Sequence, residues 1–120
     1  MDIFAGTGIE NCRCLQMCYT QTLARSLDGY IIRCAECNRV QLGFGVAAVT
    51  LKPHQFYRLK EYADLELQYK CSIPAAPDQK CISLPVNRSL MLCLSYNELI
   101  AFTDLLDQAA ALMTVYELLA

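Results

Sequence analysis

The sequence predicts an α+β domain: antiparallel β-hairpins with two helices on one face, and a zinc-ribbon-like cysteine knuckle in the first third. Three observations carry this expectation. Short segments of alternating apolar and polar residues come in hairpin-sized pairs, punctuated by Asp28-Gly29, Gly45 and Asn87-Arg88. Two longer segments, opening at Pro53 and after Ser95, repeat apolar residues at helical spacing. Cys34-Ala35-Glu36-Cys37 places two thiols within one tight turn.

Residues 1–11 show no periodicity and are expected to form a flexible tail, with 12–120 as a single domain. Tyr30-Ile31-Ile32-Arg33 reads as a strand entering Cys34. Val40, Leu42 and Phe44 alternate with Gln41 and Gly43 as a second strand, and Ala47 to Leu51 form a third across a turn at Gly45. A helix starts at Pro53, because the N–H that proline lacks would be unpaired at the first helical position anyway. Phe56, Leu59, Tyr62 or Ala63, and Leu67 supply its apolar stripe. Pro74 and Pro77 mark a loop. Ile82, Leu84 and Val86 alternate as a strand, and Leu90 to Leu94 form a wholly apolar one in which Cys93 reads as a buried core residue. Ser95 with Glu98 makes a capping box for a last helix from Tyr96 towards Leu119.

A shift of about 43 residues lays Val40–Ala63 over Ser83–Leu106, with Leu51 on Leu94, Gln55 on Glu98 and Phe56 on Leu99. Lys52 takes the cap position that Ser95 fills. One reading is a ββα duplication, which would put both hairpins into one sheet; the plainer one is that any two hairpin–helix units share such a pattern.

The chain has 120 residues, 55% of them apolar, which suits one core and excludes a disordered chain. A net charge of −2 and a pI near 5.3 argue against a general nucleic-acid binder. Residues 1–60 carry seven basic and four acidic side chains, residues 61–120 three and eight. Arg25, Tyr30, Arg33, Arg39 and Phe44 interleave aromatic and basic residues as single-strand binders do, but the acidic whole speaks against that role. No basic residue and no apolar run of signal-peptide length opens the chain. The best membrane candidate, Leu99–Ala120, holds Asp104, Asp107 and Gln108 near its middle, where charge is costly in lipid. A cytoplasmic location follows, in which cysteines stay mostly reduced.

There are eight cysteines and one histidine. Cys34-x-x-Cys37 is followed by an extended segment rather than a helix, so the helix field that activates a redox CxxC is missing, and a zinc knuckle is favoured. Cys14 and Cys18 lie upstream as C-x3-C and complete C-x3-C-x15-C-x2-C, close to a zinc-ribbon spacing. Cys12 could stand in for Cys14. Two alternatives stay open: no metal, with small buried cysteines and a free dithiol, or thiol redox or iron–sulfur chemistry at Cys34 and Cys37. Cys71 and Cys81 flank the proline loop and are read as free thiols.

His54 falls in the first turn of a helix and reads as a surface residue, which leaves no histidine relay. Gly43-Phe44-Gly45 lacks the lysine and the following helix of a phosphate loop and is read as a hairpin bend. Glu61, Asp64 and Glu66 are read as solvated helix charges rather than paired catalytic acids. The last helix is apolar nearly all round, which points to burial on more than one side and to a homodimer formed through it, most simply with two-fold symmetry.

Gly29-Tyr30-Ile31-Ile32-Arg33-Cys34-x-x-Cys37, with Gln41-Leu42-Gly43-Phe44-Gly45 and Leu51-x-Pro53-x-Gln55-Phe56, resembles a family of short, uncharacterised bacterial CxxC-containing proteins. The resemblance spans about residues 18–67, implies no activity, and adds weight to Cys18, Cys34 and Cys37 as ligands. The reading that results is a zinc-stabilised, self-associating domain that meets an unnamed protein partner. The enzyme alternative is a thiol redox protein or sensor built on Cys34 and Cys37.

Overall fold

The computed structural model describes residues 20–70, 78–80 and 82–119. The expected tail, the proline loop and Cys12, Cys14, Cys18, Cys71 and Cys81 lie outside these residues. The fold is α+β, in the order β1 (Thr20–Arg25), β2 (Gly29–Cys34), β3 (Val40–Phe44), β4 (Ala47–Leu51), α1 (Pro53–Lys70), β5 (Ile82–Pro85), β6 (Met91–Leu94) and α2 (Tyr96–Leu119). β1 to β4 form an antiparallel meander, and β5 and β6 form a sheet of their own. The single sheet expected from a duplication is therefore corrected to two.

β1 is a strand that the pattern did not reveal. Its pairing with β2 shifts between Thr22 and Ala24, so Leu23 is an extra residue and both Leu23 and Ala24 are buried. A bulge of this kind destroys the period-2 alternation that advertises a strand. The β1–β2 turn is closed by Ser26, whose Oγ accepts the N–H groups of Asp28 and Gly29 at 3.2 Å each. Gly45 has φ 61° in the two-residue β3–β4 turn, the left-handed conformation that a tight hairpin asks of its first residue.

Both helices start as expected and with the same device. The N–H of Lys52 donates to Gln55 Oε1 at 2.8 Å, and the N–H of Ser95 donates to Glu98 Oε1 at 2.9 Å. Ser95 Oγ returns the bond by accepting the N–H of Glu98 at 3.1 Å, which completes the capping box. Lys80 Nζ adds a bond to Glu98, and these bonds hold the Glu98 carboxyl below its ordinary pKa, the Lys80 bond most.

The helices run antiparallel: Lys60 of α1 bridges Asp107 of α2 at 3.1 Å, while Tyr57, earlier in α1, feels the charge of Glu117, later in α2. α2 lies over β1 and β2, and α1 packs on α2 and reaches β4 and β5. One buried cluster joins Ile31, Leu42 and Phe44 of the meander to Phe56 and Leu59 of α1 and to Leu99, Phe102 and Met113 of α2, with Leu84 and Leu94 at its side. Phe44 and Phe102 meet edge to face, centroids 5.0 Å apart.

Two further expectations change. Cys93 is exposed, because β6 alternates and it is Leu92 and Leu94 that turn inward. Val40 pairs with Leu51, whereas it is Ile82, not Ser83, that pairs with Leu94. The β5–β6 hairpin is thus one residue longer than β3–β4, and the first strands correspond with a shift one residue smaller than the helices do.

Candidate functional site

The knuckle is built by the end of β2. Cys34 is buried in the last position of that strand, and the chain turns at once through Ala35, Glu36 and an exposed Cys37. The turn closes on itself: the Cys34 N–H donates to the Arg39 carbonyl and the Asn38 N–H donates to the Cys34 carbonyl, both at 2.9 Å. Asn38 sits at φ 63°, a conformation Asn tolerates better than most residues and which reverses the chain within the turn. β3 then resumes at Val40, so the motif lies between two strands, away from any helix N-terminus. Cys34 and Cys37 are both disulfide-bonded. Of the four expected ligands the structure describes these two; Cys14 and Cys18 lie outside the described residues. Among the described residues, no three His, Cys, Asp or Glu side chains gather as a metal site would require. His54 is exposed in the first turn of α1, as expected.

Close to the knuckle, Arg33 spans the fold. Its Nε and a terminal guanidinium nitrogen donate to Gln21 Oε1 at 3.0 and 2.7 Å, and the guanidinium lies 5.2 Å from the centre of the Tyr116 ring on α2. The strand end that carries Cys34 is thereby tied to the last turns of α2. Tyr57 lies nearby, and burial, helped by the Glu117 charge, raises its phenol above the ordinary value.

α2 is long and apolar enough to cross a membrane by length and composition alone. In this fold its Leu99, Phe102, Leu105, Leu106, Ala109 and Met113 are spent on the core. Beyond Met113 the helix still carries apolar residues, but they face out: Val115 is 47% exposed, Leu118 80% and Leu119 77%. A second exposed apolar pair was not foreseen. Leu27 and Val46, at the tips of the β1–β2 and β3–β4 turns, are 105% and 109% exposed. The only trace of them in the sequence is an apolar residue placed inside a polar turn, in Ser26-Leu27-Asp28-Gly29 and Gly45-Val46.

The far face of the meander holds buried polar atoms without hydrogen-bond partners among the described residues. Gln41 is only 3% exposed, and its Oε1 and the Oγ1 of Thr50, directly across the β3–β4 pair, accept no hydrogen bond among the described residues. Tyr30 covers Gly43 on the same face.

These features define a small α+β domain with a sulfur-bearing turn at one end of its four-stranded sheet. The chain belongs to the DUF6686 family, a family of unknown function whose model matches residues 17–119. No curated protein and no solved structure matches the chain.

Proposed function

We propose that this chain is a cytoplasmic, non-enzymatic interaction domain that self-associates through the exposed end of α2 and presents a composite surface to another protein. The observation that carries the reading is the cluster Val115, Leu118 and Leu119, apolar and exposed together in the last turns of a helix whose largest apolar side chains are otherwise mostly buried. Contiguous apolar surface of this sort marks interaction sites on soluble proteins. Sedimentation of the purified chain tests it. Association that Leu118→Glu abolishes supports the reading, and a monomer at every concentration up to the millimolar range ends it.

In the same reading Cys34 and Cys37 join Cys14 and Cys18, or Cys12 in place of Cys14, around a structural zinc. The turn is the right kind for it, strand-bounded and closed by its own backbone bonds, and reduction of the bonds that Cys34 and Cys37 make here would supply the two thiolates. Four thiolates leave zinc no open position, so the ion would hold the fold rather than act on a substrate. One zinc per chain after purification under reducing conditions, lost together with thermal stability in Cys34→Ser, is the expected result. The oxidised state of Cys34 and Cys37 favours a second reading, a thiol redox protein or sensor. Each disulfide formed removes two electrons and two protons from a pair of thiols. A metal-free protein with a peroxide-reactive thiol would favour this alternative.

We also read the two hairpin–helix units as a ββα duplication in a family of bacterial proteins bearing the CxxC motif. The shared Lys52–Gln55 and Ser95–Glu98 bonds at the helix starts support it, with one residue inserted in the second hairpin.

A further inference from the structure

Two side chains are buried on a face of the meander that no described helix or strand covers. Val40 and Leu42 turn towards the helices, and so do Val49 and Leu51, so Gln41 and Thr50 between them turn the other way. Arg33 meets Tyr116 of α2, so Cys34 after it also points away from the helices. Cys34 is 2% exposed there and Gln41 3%. Neighbouring strands flank such side chains but do not roof them. Gln41 Oε1 and Thr50 Oγ1 are also buried acceptors without partners among the described residues. Both observations ask for a cover that brings N–H groups.

The sulfurs indicate which segment supplies it. Cys34 and Cys37 are disulfide-bonded, and the bonds run to cysteines outside the described residues. Cys93 is free, which leaves Cys12, Cys14, Cys18, Cys71 and Cys81. Cys71 and Cys81 are too far away. Lys70, which precedes Cys71, ends α1 near the start of α2, because the helices run antiparallel and Lys60 bridges Asp107. Lys80, which precedes Cys81, bonds Glu98 in the first turn of α2. The knuckle lies by Tyr116, about 30 Å along that helix from Tyr96. Bonded cysteines have Cα atoms within about 7 Å of each other. Thr20, by contrast, pairs with Cys34, so the chain that precedes it starts at the knuckle. Cys18 is two residues upstream of Thr20, within about 7 Å of it. Residues 12–18 reach about 23 Å when extended, and the step from β1 across to β4 is about 14 Å.

We infer that residues 12–18 dock on the face of the meander away from the helices, over Cys34 and Gln41, clamped by disulfides from Cys34 and Cys37 to two of Cys12, Cys14 and Cys18. The inference rests on the cysteine set proposed above and names its oxidised state. Each bond forms when hydrogen peroxide takes two electrons from two thiols: an S–S bond forms, the O–O bond breaks, and the two thiol protons leave in the two waters produced. A sulfur in a disulfide offers no thiolate, so the clamp and a zinc ion exclude one another. The set therefore has two closed states, a reduced one around zinc and an oxidised one without it.

Tryptic mapping of the full wild-type chain without reductant tests this, after mild peroxide treatment and alkylation of any remaining thiols. Cleavage after Arg33 and Arg39 puts Cys34 and Cys37 on one peptide, 34–39. Cleavage after Arg13 and Arg25 separates 1–13, with Cys12, from 14–25, with Cys14 and Cys18. Peptide 34–39 should travel with 14–25, with or without 1–13, in a species that reductant splits. A bond within 34–39, bonds to 71–80 or 81–88, or free thiols throughout overturn the inference. Docking is read apart from bonding in Gln41→Glu, with circular dichroism to confirm folding. Its carboxyl should titrate above the ordinary carboxylate range in the oxidised chain and fall back towards it on reduction in the presence of a chelator. Equal values in the two states mean that the segment is tied but not docked, and the inference falls. A reduced chain that takes up no zinc, with the 14–25 link present after oxidation, sinks the zinc reading and leaves the clamp. A reduced chain that holds zinc but oxidises to other bonds does the reverse.

Discussion

Gly43→Ala should be destabilising in the wild-type chain and stabilising once Tyr30 is truncated. Gly43 pairs with Tyr30 across β2 and β3, and a Cβ at position 43 would stand 2.3 Å from Tyr30 Cε1 and 2.7 Å from its Cζ. Ordinary contact starts near 3.4 Å, so the ring must retreat by at least about 1 Å. Tyr30 is half-buried on the face away from the helices, so it can move, but only by giving up its packing on the sheet. Overpacking of this kind costs about 1–3 kcal/mol. Against it stands a gain of about 0.4–1 kcal/mol, because Gly43 does not occupy the left-handed region and alanine restricts the unfolded chain. The net in wild type is a loss centred near about 1.3 kcal/mol and no larger than about 2.6 kcal/mol. In Tyr30→Ala the three nearest obstacles are gone, so the balance shifts towards the gain. Urea unfolding of the four proteins in this double-mutant cycle reads the coupling directly. The same change in stability in both backgrounds would refute the reasoning. Gly29→Ala is the control: its Cβ would meet the Gly43 carbonyl oxygen at 2.2 Å, a backbone obstacle that truncating Tyr30 cannot remove.

Phe102→Ala removes a fully buried ring in edge-to-face contact with Phe44 and should cost about 3–5 kcal/mol, whereas Leu118→Ala, on the exposed end of the same helix, should change chemical stability by less than about 0.5 kcal/mol; urea midpoints at low protein concentration check both. Glu98 has its carboxyl pKa lowered by folding, so the stability it contributes is present above the unfolded value near 4.5 and lost as pH falls through the lower folded value. Stability measured from pH 6 down to 3 should therefore fall less steeply in Glu98→Gln, which keeps an acceptor for the Ser95 N–H and drops the ion pair with Lys80. Asn38→Gly should be tolerated at φ 63°, while Asn38→Val should lower the melting temperature of the domain through strain in the knuckle turn.

The legible parts of the fold are those where a local rule was enough. Pro53 and the Ser95–Glu98 box marked both helix starts to the residue, because a cap is a bond between neighbours three positions apart. β3 and β4 were legible from Val40 to Phe44 and from Ala47 to Leu51, where alternation and a left-handed glycine coincide. β1 was not, because its bulge at Leu23 makes two successive residues face the core. Nor could spacing show that the second hairpin stands apart from the first sheet: strand pairing between hairpins is a long-range choice. Cys93 sat in an unbroken apolar run, and such a run does not say which of its two faces is buried. The knuckle was legible as a turn, but not the disulfide bonding of Cys34 and Cys37, because spacing within one turn does not tell a thiolate pair from sulfurs bonded elsewhere.

The apolar content of α2 shows what position adds to count. At 3.6 residues per turn, residues 97, 100, 104, 107 and 108 fall on the arc of the helix roughly opposite Met113, and so do 111, 115 and 118. The first group is Asn97, Ile100, Asp104, Asp107 and Gln108, and it is exposed and mostly polar. The second is Ala111, Val115 and Leu118, and it is exposed and apolar. The outer arc therefore changes character about two turns before the helix ends, while the inner arc stays apolar as far as Met113. A helix needed only for its own core has no reason to switch on the solvent side. Nor does general hydrophobicity explain it, since the same arc is charged where Lys60 reaches Asp107. The switch confines the apolar part of this arc to the last turns, which is why the decisive variant of α2 lies at Leu118 rather than along the whole helix.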